Sequence, residues 1–140
     1  MAEQENVEKV QAAYAAFQRG DIEGLLGLMT DDILWETPGA SDAIPYAGRK
    51  RGHAEVKQFF STLAQSEEIT SFEPREFIAQ GDKVVVLGSY RGRVRASNRP
   101  YDIEWLQVFT LRDGKVAGFR EYLDTAALAD AHRATSAQTA

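Results

Sequence analysis

The C-terminal half of the chain holds four long segments whose side chains alternate in character, joined by short connections. They cover about residues 69–80, 83–95, 100–112 and 115–124. Successive side chains of a strand point to opposite faces, so each segment predicts a strand with one face toward a core. "QGD" at 80–82 and "RDG" at 112–114 supply the glycine and aspartate of tight hairpin turns. Strands joined in this way pair antiparallel.

The N-terminal half reads as helices. Val7, Val10, Tyr14 and Phe17 recur at helical spacing and predict a helix over about residues 3–18. Gly20 suits a left-handed helix end, and Asp21 suits the cap of a second helix carrying Ile22, Leu25, Leu26, Leu28 and Met29. "DDILWET" reads as a first strand with Ile33, Trp35 and Thr37 on one face, broken by Pro38 and Gly39. Residues 38–52 predict a loop long enough to be functional. A third helix covers about 53–65, with Val56, Phe59, Phe60 and Leu63 inward. After the last strand a short helix runs from Thr125 to about Arg133, and "ATSAQTA" reads as a disordered tail. One domain is expected over residues 1–133, with 134–140 as its tail.

Helices followed by antiparallel strands define an α+β class. Long twisted strands curl over the helices' apolar stripes, giving a cone-shaped sheet with a pocket at its open end.

Charge and residue usage narrow the function. A net charge of -5 argues against nucleic-acid or anionic-membrane partners. Arg49, Lys50 and Arg51, and Arg91, Arg93, Arg95 and Arg99 on one hairpin, read as solvated, ion-paired clusters. With no cysteine there is no disulfide, thiolate nucleophile or cysteine-bound zinc. The polar N-terminus "MAEQENVEKV" lacks a signal pattern, and no apolar run approaches the roughly 20 residues of a membrane span. A soluble cytoplasmic protein is expected. His53 and His132 read as exposed, and no acidic cluster suggests a metal, so neither metal nor cofactor is expected. Seven Phe, five Tyr and two Trp are ample for an apolar pocket.

"VQAAYAAFQRGDIEGLLGLMTDDILWETPG", "YAGRKRGHAEVKQFFSTL" and "VFTLRDGKVAGFREYLD" together resemble the SnoaL-like and ketosteroid-isomerase-related group of the nuclear-transport-factor-2-like superfamily. The resemblance covers about residues 5–130 and implies the cystatin-like roll, a cone of mainly antiparallel sheet wrapped around N-terminal helices. It implies that Trp35 and Thr37, Trp105, Gln107 and Phe109, and Phe119, Glu121 and Leu123 point into the cone. Activities on this scaffold range from isomerases, cyclases and dehydratases to non-catalytic binders. Ketosteroid isomerases work with an aspartate base, a tyrosine and a protonated aspartate. Here those positions fall on Thr37, on Ala13 (with Tyr14 one residue later) and on Gln107. One residue is about 100° of helical rotation, which leaves open whether Tyr14 reaches the site.

Glu121 is the first candidate catalytic residue. A carboxylate between Phe119 and Leu123 is desolvated, which raises its pKa toward the range useful for general acid/base work. The alternative is a structural ion pair. Tyr14, Gln107 and Tyr46 are candidates to steady charge on a substrate oxygen. Trp35, Thr37, Tyr46, Phe59, Trp105, Phe119 and Leu123 are the expected substrate-binding wall. Asp124 reads as the cap of the last helix. Val85, Leu87, Leu106, Val108 and Tyr122 form an apolar row on the outer sheet face, which predicts a homodimer. The expected activity is isomerisation, cyclisation or dehydration of a hydrophobic, oxygenated small molecule. The rival is a carrier with the same pocket and no turnover.

Overall fold

The structure, a computed structural model, describes residues 2–139, and side-chain environments through Arg133. Two helices open the chain, α1 (Ala2–Gln18) and α2 (Ile22–Gly27). Strand β1 (Met29–Thr37), the short β2 (Gly48–Arg51) and helix α3 (Gly52–Ser66) follow. Then come β3 (Glu67–Gln80), β4 (Lys83–Val94), β5 (Pro100–Arg112), β6 (Lys115–Leu123) and helix α4 (Thr125–Thr139). One curved, open sheet holds all six strands in the order β2-β1-β6-β5-β4-β3. Every neighbouring pair is antiparallel except β1 and β6, which run parallel. The α+β class with a mainly antiparallel sheet over N-terminal helices is the architecture expected from the sequence.

Local chemistry explains the boundaries. The Asp21 side chain accepts a hydrogen bond from the Gly24 amide at 2.8 Å, capping α2. Asp124 does the same for α4 through the Ala127 amide at 3.0 Å. The β5–β6 hairpin turns through Asp113 and Gly114, both at positive φ, in the handedness that suits a two-residue hairpin. In β4, a Cβ on Gly88 would meet the Trp105 ring at 2.5 Å, and one on Gly92 would meet the Tyr101 hydroxyl at 2.5 Å. Those two glycines let large rings from β5 lie across their neighbour.

Several expectations change. The second helix stops at Gly27, and Met29 opens β1. The long loop contains an edge strand, β2, in which Arg49 and Lys50 pair with Glu36 and Trp35 of β1. Charged side chains on so short an edge discourage further strand pairing. On β6 the expected alternation slips. Thr110 pairs with Gly118 but Leu111 pairs with Val116, which leaves Ala117 as the extra residue of a bulge. Val116 thereby turns inward to be fully buried. Helix α4 extends to Thr139, beyond the end expected near Arg133. The expected tail falls, in its side chains and at Ala140, outside the described residues.

The core lies between the concave sheet face and α1 to α3, with Val10, Ile33, Val56, Val84 and Val86 sealed from solvent. An aromatic series runs through it: Trp35 stacks on Phe119 with centroids 3.7 Å apart, and Phe72 stacks on Trp105 at 5.1 Å.

Candidate active site

Within this core lies a cavity of about 70 Å³. Each of the first three helices contributes to its wall, and so does every strand except β2. Most of the wall is apolar. The polar exceptions are Tyr14, Thr37, Tyr46, Tyr90, Gln107 and Glu121.

Three of these form a chain. Tyr14 Oη donates to Gln107 Oε1 at 2.7 Å, and Gln107 Nε2 donates to Glu121 Oε2 at 2.7 Å. The register makes this possible, because Gln107 faces Glu121 directly across the β5–β6 ladder. Tyr14 comes from α1, inside the curl of the sheet. Glu121 is half-buried, and it lines the cavity. Among the described residues no cation pairs with it. Burial raises its pKa from 4.5 to about 7; the Gln107 hydrogen bond pulls the other way, and the negative charge of Glu67 adds to the rise. Burial, and then the Glu121 charge, push the Tyr14 hydroxyl well above its ordinary range, so it stays protonated.

A second polar cluster borders the wall, and local patterning missed it. Glu67, at the start of β3, is 2% exposed. Its Oε1 accepts from Tyr101 Oη at 2.7 Å, and its Oε2 accepts from His132 Nε2 at 2.9 Å and from Tyr46 Oη. Tyr90 of β4 packs beside this cluster, its ring centroid 4.9 Å from that of Tyr101. Burial first, and the nearby Glu67 charge second or third, push all three phenols far above their ordinary range. One signal was available: Glu67 has the strand parity of Ile69, and continuing the alternation two residues back puts it inside.

Both histidines depart from the expected exposure. The His132 side chain is 5% exposed and pairs with Glu67, tying α4 to β3. His53 is partly buried, with Nε2 near the Met29 and Thr30 carbonyls at 3.2 and 3.1 Å, which ties α3 to β1. Neither lines the cavity.

Of the expected wall, the structure brings together Trp35, Thr37, Tyr46, Phe59 and Phe119 with Tyr14, Gln107 and Glu121. Trp105 and Leu123 are not on the wall. They face each other across β5 and β6, and the Trp105 ring is taken up by Phe72. Parity turned Trp105 inward, but Phe72 of β3 covers it.

A family model for the SnoaL-like domain matches residues 10–119. The chain belongs to the SnoaL-like family. In this SnoaL-like chain the similarity extends to solved structures. A nuclear-transport-factor-2-like protein from Burkholderia xenovorans LB400 is 43% identical, with a TM-score of 0.86 over 95% of this chain and 99% of that one. A second such protein, from Burkholderia pseudomallei K96243, is 28% identical, with a TM-score of 0.85 over 92% and 98%. TerC, co-crystallised with polyporic acid, is 32% identical, with a TM-score of 0.82 over 91% and 98%. A protein with a cystatin-like fold from Xanthomonas campestris shares that fold at 20% identity, with a TM-score of 0.77 over 91% and 96%. No curated protein matches the chain.

Family membership sharpens one contrast. Thr37 and Gln107, where the resemblance leads one to expect the two acids of ketosteroid isomerases, both line the cavity, and the carboxylate beside them is Glu121. Tyr14 nevertheless meets Gln107, which answers the question that helical rotation left open. Among the described residues no three His, Asp or Glu side chains gather as a metal site, and no helix is long and apolar enough to cross a membrane.

Proposed function

We propose that this protein is a general acid/base enzyme acting on an apolar, oxygenated small molecule, with Glu121 as the group that moves the proton. The observation that carries this reading is a carboxyl with pKa about 7, facing an aromatic-lined cavity and held by Gln107. At neutral pH such a group is populated in both protonation states, so it can take a proton from one atom of a substrate and return it to another. Isomerisation, cyclisation and dehydration all need that step. Trp35, Phe59 and Phe119 would hold the apolar skeleton, and Tyr14 and Gln107 would hold the carboxyl in one orientation. TerC's co-crystallisation with polyporic acid supports a cavity that takes small organic molecules.

Carbon-bound proton exchange tests the reading without knowledge of the substrate. A panel of cyclic ketones and enones is incubated with the protein in D2O near neutral pD and followed by NMR. Exchange by the wild-type protein that Glu121→Gln abolishes is the expected result. Binding of polyporic acid, with no exchange in any panel member, would overturn catalysis and leave a carrier. One observation favours that second reading: among the described residues Glu121 is the only carboxylate on the wall.

We also propose that the chain forms a homodimer through the outer sheet face. Val85, Leu87, Leu106 and Val108 are only half-buried there, and Tyr122 is 49% exposed. An apolar row of this kind is a natural cover for a second copy.

A further inference from the structure

We propose that Tyr90 is the wall group that donates a hydrogen bond to an acceptor oxygen of the ligand, at a point away from Glu121. The cavity then favours ring compounds with a carbonyl or similar oxygen at that point over hydrocarbons of the same shape. This rests on reading the cavity as a ligand site.

The donors of the wall lead to Tyr90 one by one. Tyr14 gives its one proton to Gln107 Oε1, Tyr46 gives its own to Glu67 Oε2, and Thr37 Oγ1 donates to the Tyr46 carbonyl at 3.4 Å. The Trp35 indole N–H has no acceptor, but its nitrogen is sealed from open space and lies out of a ligand's reach. Gln107 keeps a second amide hydrogen, yet its amide is pinned at both ends, by Tyr14 and by Glu121, so that hydrogen cannot turn to follow a ligand. Tyr90 differs from all of these. It lines the cavity, and among the described residues no hydrogen bond joins its hydroxyl to Tyr46 or Tyr101, which both donate to Glu67, or to any other group. The sealed, unpartnered side-chain atoms belong to Thr30, Trp35 and Trp105, so the Tyr90 oxygen meets open space. The residue is otherwise buried, and the cavity is the open space that it borders.

The ring is held by Tyr101 and, with centroids 6.2 Å apart, by Phe72. A hydroxyl on a fixed ring still turns about its C–O bond, so its hydrogen can swing to an acceptor. Burial above all, then the charges of Glu67 and Glu121, keep that hydroxyl protonated well beyond neutral pH, and it remains a donor. A purely apolar ligand that takes the place of water at Tyr90 strands this donor, whereas a ligand oxygen restores what water supplied.

Register sets the place. Val86 faces Gln107 across β4 and β5, and Gln107 faces Glu121 across β5 and β6. Tyr90 follows Val86 by four positions with the same inward parity, so its backbone stands roughly 13 Å along the strand from that rung. A ligand that meets Glu121 with one part therefore meets Tyr90 with another. Tyr90 lies on β4, whereas the tyrosine position of the ketosteroid-isomerase resemblance lies on α1. It takes the part expected of Tyr14 and Tyr46, whose protons are spent within the protein.

The test compares acetophenone with α-methylstyrene, which has the same shape but a CH2 in place of the carbonyl oxygen. NMR titration gives each Kd for the wild-type protein and for Tyr90→Phe, which keeps the ring and its packing. The variant is expected to bind acetophenone about 3- to 10-fold more weakly, with the α-methylstyrene Kd unchanged. Infrared spectra of carbonyl-labelled acetophenone read the bond itself: its C=O stretch should lie lower in the wild-type complex and move up in Tyr90→Phe. A ratio of the two Kd values that Tyr90→Phe leaves unmoved, or a stretch that does not shift, overturns the proposal and leaves the cavity a ligand site. If neither probe binds the wild-type protein, the ligand-site reading falls and the proposal with it. Acetophenone binding that responds to Tyr90→Phe, with no proton exchange in the D2O assay, upholds the proposal and removes only the catalytic reading.

Discussion

Gln107 Nε2 donates to Glu121 Oε2 at 2.7 Å, directly across the β5–β6 ladder. The bond favours the ionised carboxyl, but burial outweighs it, and the pKa stands at about 7. Two stability predictions follow from that balance.

Glu121→Gln should stabilise the fold at high pH. Because the folded-state pKa lies above the ordinary 4.5, the folded chain holds this proton more tightly than the unfolded chain. Stability is therefore lost as pH rises from about 4.5, and the loss levels off above about 7. At roughly 1.4 kcal/mol per pKa unit, the full penalty is up to about 3 kcal/mol. Glutamine keeps the shape without the charge. Thermal melts at pH 5 and pH 8 should show the variant gaining on wild type with pH. A large drop in Tm at pH 8 would mean that the carboxylate stabilises the fold.

Gln107→Leu should raise the Glu121 pKa above about 7, because the one hydrogen bond that favours the ionised form is gone. It also strands the Tyr14 hydroxyl in the core, at a cost of about 1–3 kcal/mol. Carbon-13 NMR of the Glu121 carboxyl reads the first effect, and urea denaturation reads the second. A carboxyl titrating lower than in wild type would contradict the assignment.

Glu67 should matter to both the fold and the site. Its replacement by Leu leaves Tyr46, Tyr101 and His132 without their shared partner, and should cost about 1–3 kcal/mol for each buried polar group left unpaired. Glu67→Gln is the milder probe: removing the charge should lower the Glu121 pKa, since Glu67 helps to raise it. An unchanged Glu121 titration in a folded Glu67→Gln variant would uncouple the two clusters.

If the outer sheet face joins two copies, Val108→Asp should shift the chain toward monomer in sedimentation equilibrium. Val108 pairs with Arg120 and Val85, in the middle of that face. Association unchanged by the charge would place any dimer contact elsewhere.

The legible parts of this protein were those written in local periodicity. Alternation turned Trp35, Phe119 and Glu121 to one side of their strands, and helical spacing put Tyr14 on the inner stripe of α1. Asp21 and Asp124 announced their caps, because an N-cap needs only a short polar side chain beside the right backbone amide. Where the chain adds a residue the same reading slipped, as at Ala117, because a bulge reverses parity without a strong sequence mark.

The α+β order, the hairpins and the inward face carrying Glu121 follow from local pattern, since turn chemistry and side-chain period act between near neighbours. Which polar groups meet is a matter of long-range packing. Tyr14 and Gln107 are 93 positions apart, and Glu67 and His132 are 65 apart. No period links such pairs, and a buried carboxylate looks like any surface glutamate until its donors arrive. Burial and the Gln107 hydrogen bond together set the protonation of Glu121, and both arise only in the folded chain.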